Sequence, residues 1–402
     1  MARTKIYVGL EIGTSKICVV VGEVRPDGGI KILGVGQAPS RGVRKGEIVD
    51  MESASASLHE ALVKAEERSD VDIKSVYLAV TGAHVACMNN RGRTEIPGGP
   101  AAVTEEDLDE VKQTAREIEI PQTNALIHSI VRHYYVDGKE PVLNPIGMQG
   151  QVLEADYHII HGIRNRIQNT IRCVREVPLE VEEIVFSPLA SAQVVVSRAH
   201  KDQGTLLIDI GGGTTDYVLY QDGSVAASGC IGLGGDHVTN DISLVLELPL
   251  QISERLKTKH GSVYFDSKTQ GEMITIEPDR GYPGGQVDQN TLNHVIHARM
   301  KETLQLVYRQ LEPTGFLGRI SSGIFLTGGC SLLDGIADLA QNVFQMPVHQ
   351  ADSNSPSGMR TAFENPQYAT PIGLIRYAQL LDQQTQSQAQ PAKAGGLFGG
   401  SR

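Results

Sequence analysis

Two segments of the chain carry residues that could do chemistry. Val8-Gly9-Leu10-Glu11-Ile12-Gly13-Thr14-Ser15-Lys16 lies near the start, and Leu206-Leu207-Ile208-Asp209-Ile210-Gly211-Gly212-Gly213-Thr214-Thr215 lies midway. Both read apolar, apolar, acid, isoleucine, glycine, then small hydroxyl residues. The first is followed by Ile17-Cys18-Val19-Val20-Val21 and a turn at Asp27-Gly28-Gly29, the second by Tyr217-Val218-Leu219-Tyr220 and Asp222-Gly223. Such β-branched and aromatic runs ending in turn dipeptides make each glycine segment the bend of a β-hairpin. A Walker A loop or dinucleotide fingerprint would open a helix instead, and the chain has no G-K-[ST]. The backbone N–H groups of glycine turns can cradle phosphate. A carboxylate beside each turn would repel a triphosphate unless Mg²⁺ sits between them. Mg²⁺ takes one or two carboxylates plus phosphate oxygens and keeps several waters. Glu11 and Asp209 fit that role, with Asp216 a third acid nearby.

A third glycine site is Ile324-Phe325-Leu326-Thr327-Gly328-Gly329-Cys330-Ser331. A strand runs into a double glycine against which a flat base could lie. Ser331 is then expected to N-cap a helix with Asp334 at the capping-box position, and Leu332, Ile336, Leu339 and Val343 follow at helical spacing.

These sites need a mixed α/β scaffold, and the remaining sequence supplies one. Thr104 and Asp107 form a capping box ahead of Leu108, Val111, Ala115 and Ile118. Ser187 is expected to N-cap a helix with Pro188 in its first turn. Ile163, Ile167, Ile171 and Val174 mark another helix, ended near Pro178. The matched acid–glycine segments, one in each half of a 402-residue chain, imply two related domains around a cleft. Apolar residues at 40% and charged ones at 21% allow a sizeable core. A formal net charge of −11 disfavours nucleic acid and direct attraction to anionic lipid. Five scattered cysteines without a C-x-x-C pair argue against a disulfide framework or a zinc site. His158/His161 and His294/His297 share i, i+3 spacing but lack a third ligand, so they read as structural. Arg164, Arg166, Arg172 and Arg175 mark a basic helix face, solvated or in contact with another copy. No apolar run approaches the ~18 residues of a membrane span, and the N-terminus has no secretory signal pattern, which places the chain in the cytoplasm.

Together the three glycine sites resemble the actin and heat-shock-chaperone ATPase superfamily. GLEIGTSKI (9–17) is similar to its first phosphate motif, LIDIGGGTTD (207–216) to its second and FLTGGCSLLDGI (325–336) to its adenosine motif. SPLASAQVVVS (187–197) and ATPIGLIRYA (369–378) resemble its two domain-connecting helices. Glu254-Arg255-Leu256-Lys257 resembles the segment meeting ribose and adenine. Within the superfamily, VTGAHV (80–85), VTEEDLDEVKQTAREIEIP (103–121), IHSIVRHYYVDG (127–138), NPIGMQG (144–150), LEADYHIIHG (153–162) and EVEEIVFSPLASA (180–192) are similar to the FtsA family of bacterial division proteins. The resemblance spans roughly residues 5 to 380.

It implies an actin-like ATPase fold with an inserted subdomain. The expected layout is domain 1A over 1–84, 163–200 and 360–382, and subdomain 1C over 85–162. Domain 2A would cover 201–245 and 310–359, subdomain 2B 246–309, and a flexible tail 383–402. It implies ATP and Mg²⁺ in the cleft, with weak hydrolysis at most. Gly13, Thr14, Ser15, Lys16, Gly211, Gly212, Gly213, Thr214 and Thr215 would meet phosphate, beside Gly234 and Gly235. Glu254 and Lys257 would hold sugar or base, and Gly328, Gly329, Cys330 and Ser331 the base. Glu11 and Asp209 would face the metal, mostly through water; most of the superfamily has Asp where this chain has Glu11. The implied partners are the tail of the tubulin-like protein FtsZ, docked at Arg299 and Glu302 on the helix NTLNHVIHARMKETLQLV (290–307), further copies of the chain in an actin-like filament, and other division proteins at subdomain 1C. The implied location is the cytoplasmic face of the inner membrane at the division site. The same Arg–Glu spacing would by itself steady its own helix by ~0.2–0.5 kcal/mol.

The family's membrane helix is hard to find here. Gln383 to Pro391 reads as a polar disordered linker. In the last eleven residues four glycines oppose helix formation at ~1 kcal/mol each. Only Leu397 and Phe398 could insert, at ~1.5–3 kcal/mol each when fully buried. Lys393 and Arg402 add ~1 kcal/mol apiece on anionic lipid. Membrane contact is therefore expected to be weak or indirect in a monomer, with filament avidity able to reinforce it. Two alternatives stay open: a PilM-like pilus-assembly adaptor, and a small-metabolite kinase of the same superfamily, for which the sequence offers no identifiable catalytic base.

Overall fold

The computed structural model describes residues 5–25, 28–117, 120–265, 271–279, 281–350 and 365–389. Two five-stranded sheets repeat one topology. In the first, Ile30–Pro39, Lys16–Val24 and Lys5–Ile12 form an antiparallel meander, and Ser75–Val80 and Glu180–Phe186 extend it in parallel. In the second, Ser224–Ile231, Thr215–Gln221 and Thr205–Ile210 form the meander, and Ile324–Thr327 and Val348–Gln350 add the parallel strands. The repeat legible in the motifs is thus a repeat of whole sheets.

Both sheets are covered on two faces, so their central strands are near-continuous apolar runs rather than alternating ones. Leu10, Ile17, Leu206, Ile208 and Ile210 have no exposure. The helix Met51–Ser69 lies on one face of the first sheet, with Asp50 as its N-cap, and the closing helix Ala369–Ala389 lies on the other. Between Val85 and Ile163 an inserted layer intervenes. Its strands Val85–Glu95, Val152–Ile163 and Asn124–Val136 form a three-stranded antiparallel sheet, and the helix Glu105–Arg116 buries Val111 and Ala115 against it. The Thr104–Asp107 capping box is formed in both directions. Between the second meander and Ile324, the helices Gly235–Leu246, Leu250–His260 and Gln289–Leu311 pack with a two-stranded ribbon. No helix among the described residues is long and apolar enough to cross a membrane.

Three local expectations are corrected. Ser187 is already inside its helix, Ser187–Val195, and donates to the Val80 carbonyl rather than capping. Pro188 does occupy the first turn. After Thr327 the chain makes a 3₁₀ turn, Gly329–Leu332, and the α-helix begins only at Ile336 behind Gly335. Ser331 therefore turns back to donate to the Gly328 carbonyl, and Asp334 accepts from Ser262. Finally, the expected linker is helical through Ala389, because its glutamine- and alanine-rich start has no glycine or proline before Pro391. Residues 390–402, with Leu397 and Phe398, lie outside the described residues, as does Ile118.

The two connecting helices cross at very short range. A Cβ on Gly373 would sit 2.0 Å from the Ala190 carbonyl oxygen. Only glycine permits that approach.

Candidate functional site

The two acid–glycine hairpins turn toward each other across one cavity. Strand pairing persists through Gly13 N–H to Lys16 O at 3.0 Å and Gly211 N–H to Thr214 O at 2.9 Å. Each bend is thus a two-residue turn, Thr14-Ser15 in the first and Gly212-Gly213 in the second. They meet closely: a Cβ on Gly213 would lie 2.3 Å from Thr14 Oγ1, and one on Gly212 3.1 Å from Ser15 Cβ. The cavity measures about 380 Å³, within the range of small-molecule sites.

Its walls collect most of the residues singled out in the sequence. Glu11, Gly13 to Lys16, Asp209 and Gly211 to Thr214 line the side formed by the two hairpins. Gly235, Glu254 and Lys257 line the helical side, and Gly328 to Cys330 close the far end. Three expected contacts fall elsewhere. Thr215 is fully buried within its strand and donates to the Leu233 carbonyl at 2.9 Å. Gly234 packs behind the second turn, its N–H directed to His237 Nδ1 at 3.2 Å. Ser331 is buried behind Gly328.

The acids define the electrostatics. Glu11 is pushed up to about 7 by burial, partly offset by Lys16 and reinforced by Asp209 and Asp216. Asp216 is also pushed up to about 7 by burial, against a 2.5 Å hydrogen bond from Thr81 Oγ1. Burial raises Asp209 as well, opposed by hydrogen bonds from Ser191 at 2.7 Å and Thr370 at 3.2 Å. Glu11 Oε2 is buried without a hydrogen-bond partner. Glu11, Asp209 and Asp216 line this one cavity, but no group of three acidic, histidine or cysteine side chains among the described residues is placed to hold a metal ion by itself. The orphaned Glu11 oxygen and the desolvated Asp209 suit a hard cation that takes only one or two protein carboxylates and draws its other ligands from water and phosphate.

The basic residues are less free than the sequence implies. Lys16 Nζ donates to the Gln367 carbonyl at 2.7 Å and lies 4.0 Å over the Tyr368 ring. Lys257 Nζ bridges Gly235 O at 3.0 Å, Thr239 Oγ1 at 2.9 Å and Glu254 at 2.7 Å. Glu254 also accepts from Thr239.

Several participants escaped the sequence reading. Ser191 and Thr370 hold Asp209 from the two connecting helices, 2.9 Å from each other. Both sit in segments recognised as connectors, so their hydroxyls were the available signal. Asp236 lines the cavity from the first turn of Gly235–Leu246, and Gly46 N–H donates to Thr14 Oγ1 at 3.0 Å. Their only signals were Gly46 itself and the glycine pair just before Asp236.

Away from the cavity, Arg299 holds two partners. It makes a two-armed ion pair with Asp241 at 2.5 and 3.1 Å and reaches Glu302 at 2.5 Å. Asp241 therefore belongs with the expected pair, and Leu244 and Val245, three and four residues on from it, are exposed. Two of the four arginines of the basic helix are ion-paired, Arg166 with Glu47 and Arg172 with Glu176, and Arg164 donates to the Asn124 carbonyl. The histidine pairs are structural. His158 bridges Asn89 at 2.6 Å and Ser228 at 2.7 Å, His161 meets Asn124, and Phe265 stacks on His294 at 4.0 Å with its edge to His297.

A duplicated five-stranded sheet with paired glycine hairpins around one acidic cleft defines the actin-like ATPase class. A family model described as "Cell division protein FtsA" matches residues 206–373, and one described as "SHS2 domain inserted in FTSA" matches residues 82–161. "Cell division protein FtsA" of Pseudomonas aeruginosa is 35% identical, covering 93% of this chain and 89% of its own length. That of Borreliella burgdorferi is 36% identical, covering 94% and 91%. Among solved structures, the PilM-PilN type IV pilus biogenesis complex aligns with a TM-score of 0.64 at 18% identity, over 92% of this chain and 97% of that one. MreB 5 of Spiroplasma citri bound to AMPPNP gives 0.54 at 16%, over 96% and 99%. These two show the fold alone. The chain belongs to the FtsA family of cell division proteins, and its cleft is the actin-type nucleotide cleft of that family.

Proposed function

We propose that the chain binds Mg²⁺-ATP in this cleft and works as a self-associating adaptor that links FtsZ filaments to the inner membrane at the division site. The observation that carries the nucleotide reading is the single cavity between two facing glycine turns, lined by Glu11, Asp209 and Asp216 with one Glu11 oxygen orphaned. In this reading Glu11 and Asp209 hold the metal, mostly through water, with Asp216 behind them. The metal supplies charge neutralisation for the phosphates. The turn N–H groups of Thr14 and Ser15 and of Gly212 and Gly213 cradle phosphate, those of Gly13 and Gly211 being used to close the hairpins, and Thr14 is fixed for this by Gly46. Gly328 and Gly329 offer a flat floor to the base; a Cβ on Gly329 would meet nothing nearer than 3.9 Å. Glu254 and Lys257 border the sugar side.

Binding across both sheets ties the two halves together, so nucleotide acts chiefly as a structural ligand that prepares the chain for assembly. The FtsZ tail docks at Arg299, Asp241 and Glu302, with exposed Leu244 and Val245 as apolar contacts. Further division proteins meet the inserted layer, residues 85–162. The membrane is reached weakly, through residues beyond the closing helix or through a partner. Family membership at this identity favours this role over the pilus-type one, whose support is fold likeness alone. Calorimetric titration with ATP, with and without Mg²⁺, tests the cleft. Saturable binding strengthened by Mg²⁺ is expected; affinity unchanged by Mg²⁺ or EDTA would remove the metal assignment.

A further inference from the structure

A second cavity, about 640 Å³, lies behind the nucleotide cleft, between the two connecting helices, the inserted layer and the second sheet. Its walls mix apolar side chains, Leu189 and Leu380 among them, with polar and charged ones. Two cations among its lining residues have no carboxylate within ion-pair distance among the described residues. Lys201 Nζ donates only to Gln193 Oε1, at 3.2 Å, and lies 4.9 Å over the Tyr220 ring. Arg376 donates to the Gly28 carbonyl at 2.8 Å and to Gln379 Oε1 at 2.6 Å. A third cation on the rim, Arg198, is already paired with Asp202. Burial, with Arg198 and Arg376 nearby, pushes Lys201 down to about 8. A largely desolvated ammonium without a counter-ion is costly, and an anion beside it recovers Coulomb energy in the same low-dielectric surroundings.

We propose that this rear cavity binds a compact amphiphilic anion, an apolar body bearing one carboxylate or phosphate, with the head on Lys201 and Arg376 and the body against Leu189 and Leu380. The volume suits a small ligand. The position also links the site to the nucleotide cleft. The helix Ser187–Val195 presents Ser187 and Ser191 to the cleft and Leu189 and Gln193 to the rear cavity. The closing helix does the same with Thr370 in front and Arg376 behind. An anion that draws Lys201 away from Gln193 therefore acts on the helix that holds Asp209, and any effect on nucleotide affinity must be reciprocal.

Calorimetric titration of the full chain tests this with octanoate, octyl phosphate, 1-octanol and octylamine, each with and without saturating Mg²⁺-ATP. The expected result is one saturable site for octanoate or octyl phosphate that persists in Mg²⁺-ATP, with octanol and octylamine at least about tenfold weaker. The carboxylate and phosphate arms identify the preferred head group. Lys201→Met, which replaces a desolvated charge by an apolar side chain of similar length, should keep its melting temperature and bind the anion roughly thirtyfold or more weakly. Arg376→Gln serves as a second variant, with the same direction of change. Absence of binding by either anion, octanol binding as tightly as octanoate, unchanged affinity in a folded variant, or displacement of the probe by Mg²⁺-ATP would each overturn the proposal.

Discussion

Asp209 accepts hydrogen bonds from one hydroxyl on each connecting helix, while its other oxygen lies against Gly328, where an added Cβ would stand only 2.4 Å away. One carboxylate thus touches both connectors and the floor assigned to the base. Replacing it by alanine removes a desolvated acid and leaves Ser191 and Thr370 still paired with each other. Asp209→Ala is therefore expected to fold while Mg²⁺-dependent ATP affinity falls about 10–100-fold. Titration with and without Mg²⁺, beside a thermal melt, reads both; full Mg²⁺ dependence in the variant would contradict the assignment. At this scale the sequence revealed groups that announce themselves by spacing, such as Glu11, Asp209 and the glycine turns. It did not reveal Ser191, Thr370, Thr81 or Asp241, because each acts through a partner distant along the chain and carries no local pattern of its own. Nor could it show that Thr215 and Ser331 spend their hydroxyls on backbone carbonyls.

The elements that position the site are two hairpins and two crossing helices. The hairpins were legible because β-branched runs and turn glycines are local signals. The helix start behind Thr327 was not: Gly335 in the left-handed region, at φ 78°, delays the helix past the serine that looked like its cap. Gly373 makes the helix crossing possible, so Gly373→Ala must push Ser187–Val195 away from the closing helix. The expected cost is about 1–3 kcal/mol of stability, seen as a lowered melting temperature, with weaker ATP binding because Ser191 and Thr370 separate. An unaltered melt would mean that the crossing relaxes freely.

A second element-scale prediction concerns the seam between the inserted layer and the second sheet. His158 is buried there between Asn89 and Ser228, and burial, with Arg132 and His128 nearby, holds it down at about 3. His128, which accepts from the Phe186 N–H at 3.0 Å, is held at about 4 by burial. Both lie below the unfolded value near 6.5, so between those limits the unfolded chain binds more protons. Their contribution is fully present above pH 6.5 and is lost as pH falls, at about 1.4 kcal/mol per unit for each ring. Thermal midpoints at pH 7.5, 6.5 and 5.5 should fall with acidity, and His158→Gln should flatten the slope. A slope unchanged by that substitution would show that His158 does not carry it.

At the scale of the whole molecule, the cleft, the rear cavity and the Arg299–Asp241 pair share one frame of two duplicated sheets joined by two crossing helices. The duplication was legible because its two copies keep the same acid–glycine pattern. The inserted layer was legible through resemblance rather than through periodicity, since its strands do not alternate cleanly: Val152–Ile163 buries every residue from Tyr157 to Gly162, and Asn124–Val136 buries the adjacent Ile127 and His128. That one helix reaches all three places was not legible, because the closing helix joins Thr370 at the cleft, Arg376 at the rear and the crossing at Gly373 only once folded. In the proposed reading nucleotide would bridge the two halves of this frame, and the helical unit around Gln289–Leu311 would carry the partner contact.

The most direct test of the adaptor role is a titration of the purified chain with the C-terminal peptide of FtsZ, with and without Mg²⁺-ATP, beside Glu302→Lys and Arg299→Glu. Glu302 is largely exposed, so its replacement leaves the Arg299–Asp241 ion pair in place, whereas Arg299→Glu breaks it. Saturable binding by the native chain, weakened about tenfold or more in both variants with Glu302→Lys retaining its melting temperature, is the predicted result. No binding under any nucleotide condition, or equal affinity in native chain and folded Glu302→Lys, would contradict the FtsZ docking assignment while leaving the actin-like cleft in place.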